Sequence, residues 1–283
     1  MLGQARSTQR YANKVSEKDR RLIADMHRLA IRRPRYGYRR ITVLLRREGW
    51  RVNVKRVHRL WKAEGLQIRR KARKRRHLGN GRNACHRHRP TYKNHVWSYD
   101  FVSDRTEKGG RLRMLTVVDE FTRECLTIEV ARKFKGKDVV EVLKELFAIR
   151  GRPKYIRSDN GPEFASKAVK NWLGKHKVET LFIEPGSPWE NGYIESFNGK
   201  LRDECLDGEL FLCLAEARYI VERWRLDYNH HRPHSMLDWM TPAAFAALCP
   251  VSGRPCVRSA SATPQPNEHT DENITPTLTK VGT

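Results

Sequence analysis

The sequence predicts an α/β fold: a mixed β-sheet flanked by helices, preceded by a small all-α unit. Three observations predict it. Apolar residues recur at helical spacing in the first 64 positions. After Pro90 the texture becomes strand-like and then alternates strand with helix. The net charge of +25 is also lopsided: residues 1–90 hold 29 Lys/Arg against 5 Asp/Glu, and residues 91–283 hold 28 against 27. Such asymmetry is expected where a nucleic-acid-binding module is joined to a near-neutral one.

The first helix starts at Ser16-Glu17-Lys18-Asp19, with Ser16 as N-cap, and carries Leu22, Ile23, Met26, Leu29 and Ala30 at helical spacing. Pro34 ends it. A second helix fits Tyr38 to Glu48, burying Ile41, Val43, Leu44 and Leu45, with Gly49 as its stop. Asn53 caps a third, Val54 to Glu64, which buries Val57, Leu60 and Trp61. Its other face shows Lys55, Arg56, His58, Arg59 and Lys62. Three short helices with a basic last one are what a helix-turn-helix requires; the third enters the major groove and its cations meet phosphates or guanine edges. Residues 1–66 are therefore expected to form a DNA-binding domain. Residues 67–90, with Arg73 and Arg75 inside the run Arg69 to Arg76, read as a basic linker that neutralises phosphates.

In residues 91–248, His95 to Ser103, Leu112 to Asp119 and Cys125 to Val130 read as strands. Asp138 to Ile149 is an amphipathic helix stopped by Gly151-Arg152-Pro153. Tyr155 to Ser158 is a short strand, Glu163 to His176 a helix, and Glu179 to Ile183 a fifth strand. This order is shared by ribonuclease H-like folds. Leu214 to Tyr228 is a long helix with Leu214, Ala217, Ile220, Val221, Trp224 and Tyr228 on one side. Residues 249–283, rich in Ser, Thr and Pro, read as a disordered tail.

No run of about 18 apolar residues occurs, which argues against a membrane span, and the N-terminus lacks the apolar stretch of a secretory signal. A cytoplasmic, nucleoid-associated protein is expected. The six cysteines form no C-x-x-C pair and read as ordinary thiols. Cys85-His86-Arg87-His88 reads as a solvated basic loop rather than a zinc site. His230, His231 and His234 read as packing or phosphate contacts.

Three acids stand out by placement. Asp100 lies within the first strand and Asp159 ends the fourth, just before the turn Asn160-Gly161-Pro162. Glu195 lies on the helix after the fifth strand, whose start reads as Ser187-Pro188-Trp189-Glu190 or slips to Asn191. If strands one and four are neighbours, Asp100 and Asp159 face one crevice. Asp104, Asp119 and Glu163 compete, with Asp119 a supporting residue rather than a ligand. Three carboxylates held close repel one another unless neutralised. Oxygen-only ligation suits two Mg²⁺ or Mn²⁺ ions, which support in-line displacement at a phosphodiester. Along its helix Glu195 shares a face with Asn198 and Arg202, an amide and a cation suited to DNA beside the metal.

WSYDFVSD, TVVDEFTREC, IRSDNGPEF and SPWENGYIESFNGKLRDECL resemble the DDE core of bacterial insertion-sequence transposases of the IS-three family, which is similar to retroviral integrases. RYGYRRITVLLRREGWRVNVKRVHRLWKAEGL resembles that family's helix-turn-helix, and YNHHRPHSMLDWMTPAAF its C-terminal signature. The resemblance implies that Asp100, Asp159 and Glu195 are the catalytic acids and that Arg202 contacts DNA. It implies hydrolytic nicking that exposes a 3′-OH, then attack of that hydroxyl on a second phosphodiester. Double-stranded transposon ends and target DNA are the expected partners, with at least a dimer at synapsis. A chain beginning Met1-Leu2-Gly3-Gln4 without leucine heptads looks like the family's second-frame product; the first-frame product is then a further partner, and binding of terminal repeats by residues 1–283 alone is expected to be poor. A ribonuclease H-type nuclease and a non-catalytic DNA-binding regulator are the rival readings.

Overall fold

Ser16 opens the chain's first described element by accepting the Asp19 amide, so the capping reading holds at the residue level. The computed structural model describes residues 16–67, 89–159, 161–182 and 191–250; the basic run containing Arg73 and Arg75, the Cys85 cluster and the tail lie outside them. Helices α1 (Glu17–Arg32), α2 (Tyr38–Arg47) and α3 (Val54–Ala63) enclose a small core of Leu22, Met26, Ile41, Leu45, Val57 and Trp61. Gly49 follows α2 at φ +92°, a left-handed conformation that favours glycine and ends the helix there. Val43 and Leu44 are only half-buried, whereas Thr42 is buried because its hydroxyl donates to Tyr38 O at 2.7 Å. Asn53 caps α3 through the Lys55 amide at 2.9 Å. Asn53→Ala should destabilise the bundle by about 1 kcal/mol, read as a lower urea midpoint at unchanged slope; an unmoved midpoint would show that the cap adds nothing.

The sheet comprises β1 (Val96–Arg105), β2 (Arg111–Asp119), β3 (Cys125–Ala131), β4 (Tyr155–Ser158) and β5 (Glu179–Phe182). Its order is β3-β2-β1-β4-β5. The first three strands pair antiparallel through short turns. β4 and β5 pair parallel, because α4 (Gly136–Arg150) and α5 (Lys167–Lys175) carry the chain back before each. Those two helices cover one face, where Trp97, Tyr99, Leu115 and Val117 meet Val139, Leu143, Val169 and Leu173. The other face packs Val102, Met114, Val118 and Ile128 against α6 (Gly192–Glu204) and α7 (Leu214–His230) through Ile194, Phe197, Leu201, Val221 and Tyr228.

Two sequence expectations shift. The helix expected from Glu163 begins only at Lys167, because Ser166 caps it by accepting the Val169 amide. Glu163 instead pairs with Arg113 in front of it. α6 begins at Gly192 after Asn191, the later of the two expected starts; Ser187 lies outside the described residues. The structure adds one helix: α8 (Pro242–Leu248), capped by Thr241 with proline at the first position, seals Phe121 and Leu237 beneath Phe245. No helix among the described residues is long and apolar enough to cross a membrane.

The helical bundle touches the core through arginines. Arg33 pairs with Asp227 of α7. Arg47 donates to the carbonyls of His231 and Trp239 at 3.1 Å each. Arg35 donates to Asp203 O at 3.1 Å. Part of the bundle's positive charge is thus directed at the core rather than at a ligand.

Candidate active site

Side chains on a strand alternate between faces, so Ser98, Asp100 and Val102 of β1 share one face of the sheet. In the parallel ladder Ser98 sits beside Arg157. Two residues further on, the same alternation sets Asp100 beside Asp159 at the C-terminal end of β4, on the face covered by α6. Neighbouring strands lie about 4.8 Å apart, so the two carboxylates belong to one crevice. A crevice at the carboxyl ends of strands in an α/β sheet is the usual position for a site.

Each acid is held differently. Asp100 is half-buried; its Oδ1 accepts the Phe101 amide at 2.7 Å and its Oδ2 accepts Asn198 Nδ2 at 2.8 Å. Burial pushes its carboxyl up to about 6, helped by the negative charges of Asp159 and Glu195 and opposed by those two hydrogen bonds. Asp159 is exposed, and its Oδ1 accepts the Gly161 amide at 3.0 Å, the Asx turn expected of Asp-Asn-Gly. Glu195 is exposed on the first turn of α6, where the helix dipole favours an acid. The three are electrostatic neighbours. Among the described residues, however, no three His, Cys, Asp or Glu side chains close around a common point tightly enough to hold an ion.

Asn198 departs from its expected place. Three residues along a helix is about 300°, so Asn198 lies about 60° from Glu195, on the side of Ile194 and the core. It is 7% exposed, and its amide is spent internally: Nδ2 on Asp100, Oδ1 accepting Thr116 Oγ1 at 3.0 Å. Asn198 orients an acid, with one amide N–H on Asp100 and its carbonyl oxygen on Thr116. Thr116 had no sequence reading; it faces Asp100 across the β1–β2 ladder and also bonds Asp100 O at 3.1 Å. Only strand register shows this, and register is not legible in LRMLTVVD. Arg202, about 20° from Glu195 on the helical wheel, stays exposed with one weak bond to Ser103 O at 3.3 Å.

The competing acids serve structure. Asp119 is fully buried, and its carboxylate accepts the amides of Asn94, Phe121 and Thr122, fastening the β2–β3 turn. Asp104 Oδ1 accepts its neighbour's amide at 2.7 Å. On α3, Lys55, Arg59 and Lys62 are exposed, whereas Arg56 is drawn back onto Asp19 at 2.7 Å. His234 is buried, His230 and His231 exposed. The cysteines among the described residues, Cys125, Cys205, Cys213 and Cys249, are free thiols.

Comparison with known proteins gives the geometry a family. Two integrase core domain models match residues 90–188 and 176–242, and an HTH-like domain model matches residues 16–76. The Insertion element IS407 uncharacterized 31.7 kDa protein of Burkholderia multivorans is 43% identical over 247 residues, covering 87% of this chain and 88% of that protein. The chain belongs to this integrase-core family of insertion-element proteins. A relative 27% identical over 221 residues is the putative transposase InsK for insertion sequence element IS150 of Escherichia coli K12, with 75% of this chain and 78% of that protein covered. The simian T-cell lymphotropic virus intasome contains a chain of the same fold, at a TM-score of 0.52 and 17% identity over 84% of this chain and 79% of that one. The two integrase-core matches overlap on residues 176–188, which include β5; Asp159 falls in the first range and Glu195 in the second.

Proposed function

We propose that this chain is a DDE transposase, a polynucleotidyl transferase that nicks the ends of an insertion sequence and joins them to target DNA. The observation that carries this reading is the placement of Asp100 and Asp159 on one face of adjacent parallel strands, with Glu195 on the helix that covers that face. The donor set fits a hard divalent cation: three carboxylates with no thiolate or imidazole among them. Burial, and after it the negative charges of Asp159 and Glu195, raise the Asp100 carboxyl.

In this reading Asp100, Asp159 and Glu195 hold two Mg²⁺ or Mn²⁺ ions, which when bound activate the attacking oxygen and stabilise the leaving one. The chain's own residues do the rest. Asn198, braced by Thr116, keeps the Asp100 carboxylate turned to the crevice. Arg202 offers a cation on the Glu195 side of α6 to the phosphodiester backbone. Lys55, Arg59 and Lys62 of α3, with Arg73 and Arg75 of the following basic run, grip phosphates remote from the chemistry. Residues 1–66 thus bind DNA, 67–90 link, and 91–248 carry the reaction. Synapsis of two ends calls for at least a dimer, in the cytoplasm beside the nucleoid.

A strand-transfer assay on labelled transposon-end duplexes tests the reading. Nicked and joined products should form with Mg²⁺ or Mn²⁺ and vanish on chelation, while duplex binding persists. Products that survive chelation, or binding with no products under either metal, would overturn it.

A further inference from the structure

Behind the acid site, α6 shows a second polar face. Tyr193, Ser196, Lys200 and Glu204 fall within about 80° of one another on the helical wheel, turned away from Glu195. Four cations from four parts of the chain lie within electrostatic reach of His234 on this side of α6, and Glu204 pairs with two of them. Arg232, only 1% exposed, follows α7 and binds Glu204 through Nε at 2.8 Å. Arg40 comes from α2 of the helical bundle, 3.7 Å from the same carboxylate. Lys200 Nζ rests on Ser196 Oγ at 2.8 Å. Arg123, in the β2–β3 turn at φ +63°, lies 3.8 Å above the Tyr193 ring.

One carboxylate does not balance four cations. Two of their donors, Arg123 Nε and Arg232 Nη1, are buried with no acceptor among the described residues. A buried donor left unmatched costs about 1–3 kcal/mol, more on a charged group. The neighbourhood registers the excess positive charge. Burial and then Arg232 push the Lys200 ammonium down to about 8, and burial with the same four cations holds His234 neutral down to about 3. Such a group of guanidinium and ammonium donors matches the oxygens of a phosphate.

We propose that Arg123, Lys200 and Arg232 form a binding site for a backbone phosphate of DNA, distinct from the acid crevice on the opposite side of α6. The proposal rests on the transposase reading. DNA is the source of the phosphate because Arg40 extends the bundle's positive charge to this point and Lys200 shares α6 with Glu195. A duplex engaged by both bundle and core then has a phosphate to offer here.

The test uses the full chain, a fluorescein-labelled random-sequence duplex, and anisotropy between about 50 and 200 mM salt. Each lost phosphate contact flattens the log–log salt slope by about 0.9. Arg123→Gln and Lys200→Gln should each flatten it, by up to about 0.9 because they share one phosphate, and weaken binding several-fold at the low-salt end. Arg232 is left intact because it is buried against Glu204. Thermal unfolding checks each variant's fold, and the exposed Arg132→Gln is a surface control. Inorganic phosphate at constant ionic strength should compete with the duplex on wild type and less so on the variants. Slopes unchanged in both variants, with wild type still binding and nicking, would overturn the site and leave the transposase reading standing. Variants that lose only the phosphate effect, at an unchanged duplex slope, would show a free-anion site and also overturn the DNA assignment. A wild-type chain that neither binds duplex nor nicks it would remove both.

Discussion

Asp159→Asn should abolish strand cleavage and joining while leaving duplex binding within a few-fold of wild type. The carboxylate stands at the end of β4, exposed, in an Asx turn whose one bond among the described residues is to the Gly161 amide. Asparagine keeps an oxygen for that bond, so the turn survives. What is lost is one negative charge in a site whose other members are also acids. Charge stabilisation at such a centre amounts to several kcal/mol, and each 1.36 kcal/mol is a factor of ten, so a fall of about 10³-fold or more is expected. Single-turnover strand transfer at saturating protein measures it, with anisotropy as the binding control. Activity within tenfold of wild type would remove Asp159 from the chemistry. Binding lost together with activity would show instead that the residue is structural.

Arg157→Met should cost about 3–5 kcal/mol of stability. Arg157 is 4% exposed and Glu120 fully buried, with Nε and Oε1 2.8 Å apart. The Ser98 hydroxyl donates to the same oxygen. This pair joins β1 to the end of β2 and to β4, two residues before Asp100 and Asp159. Removing the guanidinium leaves a buried carboxylate without its counter-charge, which is the expensive half of breaking such a pair. Arg157→Met with Glu120→Leu removes both charges and should recover most of the loss, because well-packed apolar residues often replace a buried pair at little cost. Urea unfolding of the singles and the double measures the coupling. A single variant as stable as wild type would show that the pair does not hold the strands. A double variant that recovers stability but not activity would show that it also aims the acids.

Much of the fold was legible because local physics writes it into the chain. Ser16, Asn53 and Ser166 each bond a backbone amide at a helix start, although Ser166 went unread as a cap. Tyr155 to Ser158 was read to the residue, since Gly151-Arg152-Pro153 and Asp159-Asn160-Gly161 punctuate it on both sides. α8 is harder to read because PAAFAAL is short and weakly periodic; Thr241 and Pro242 mark its start, and packing on Phe121 and Leu237 holds it. Asn198 was placed on the correct stripe of α6 but on the wrong edge of it. A step of three residues in a helix leaves about 60° that composition cannot assign to solvent or core.

The order of most elements and the basic third helix are legible in the sequence alone, since capping and periodicity act between residues close in the chain; the motifs that resemble the transposase family are likewise continuous stretches of sequence. Tertiary structure decided the rest: that β1 and β4 are neighbours, that Asn198 and Thr116 brace Asp100, and that Arg40, Arg123, Lys200 and Arg232 come within electrostatic reach of His234. Asn198 lies 98 positions from Asp100 and 82 from Thr116. Strand register and helix rotation, set by packing of the whole core, bring them together.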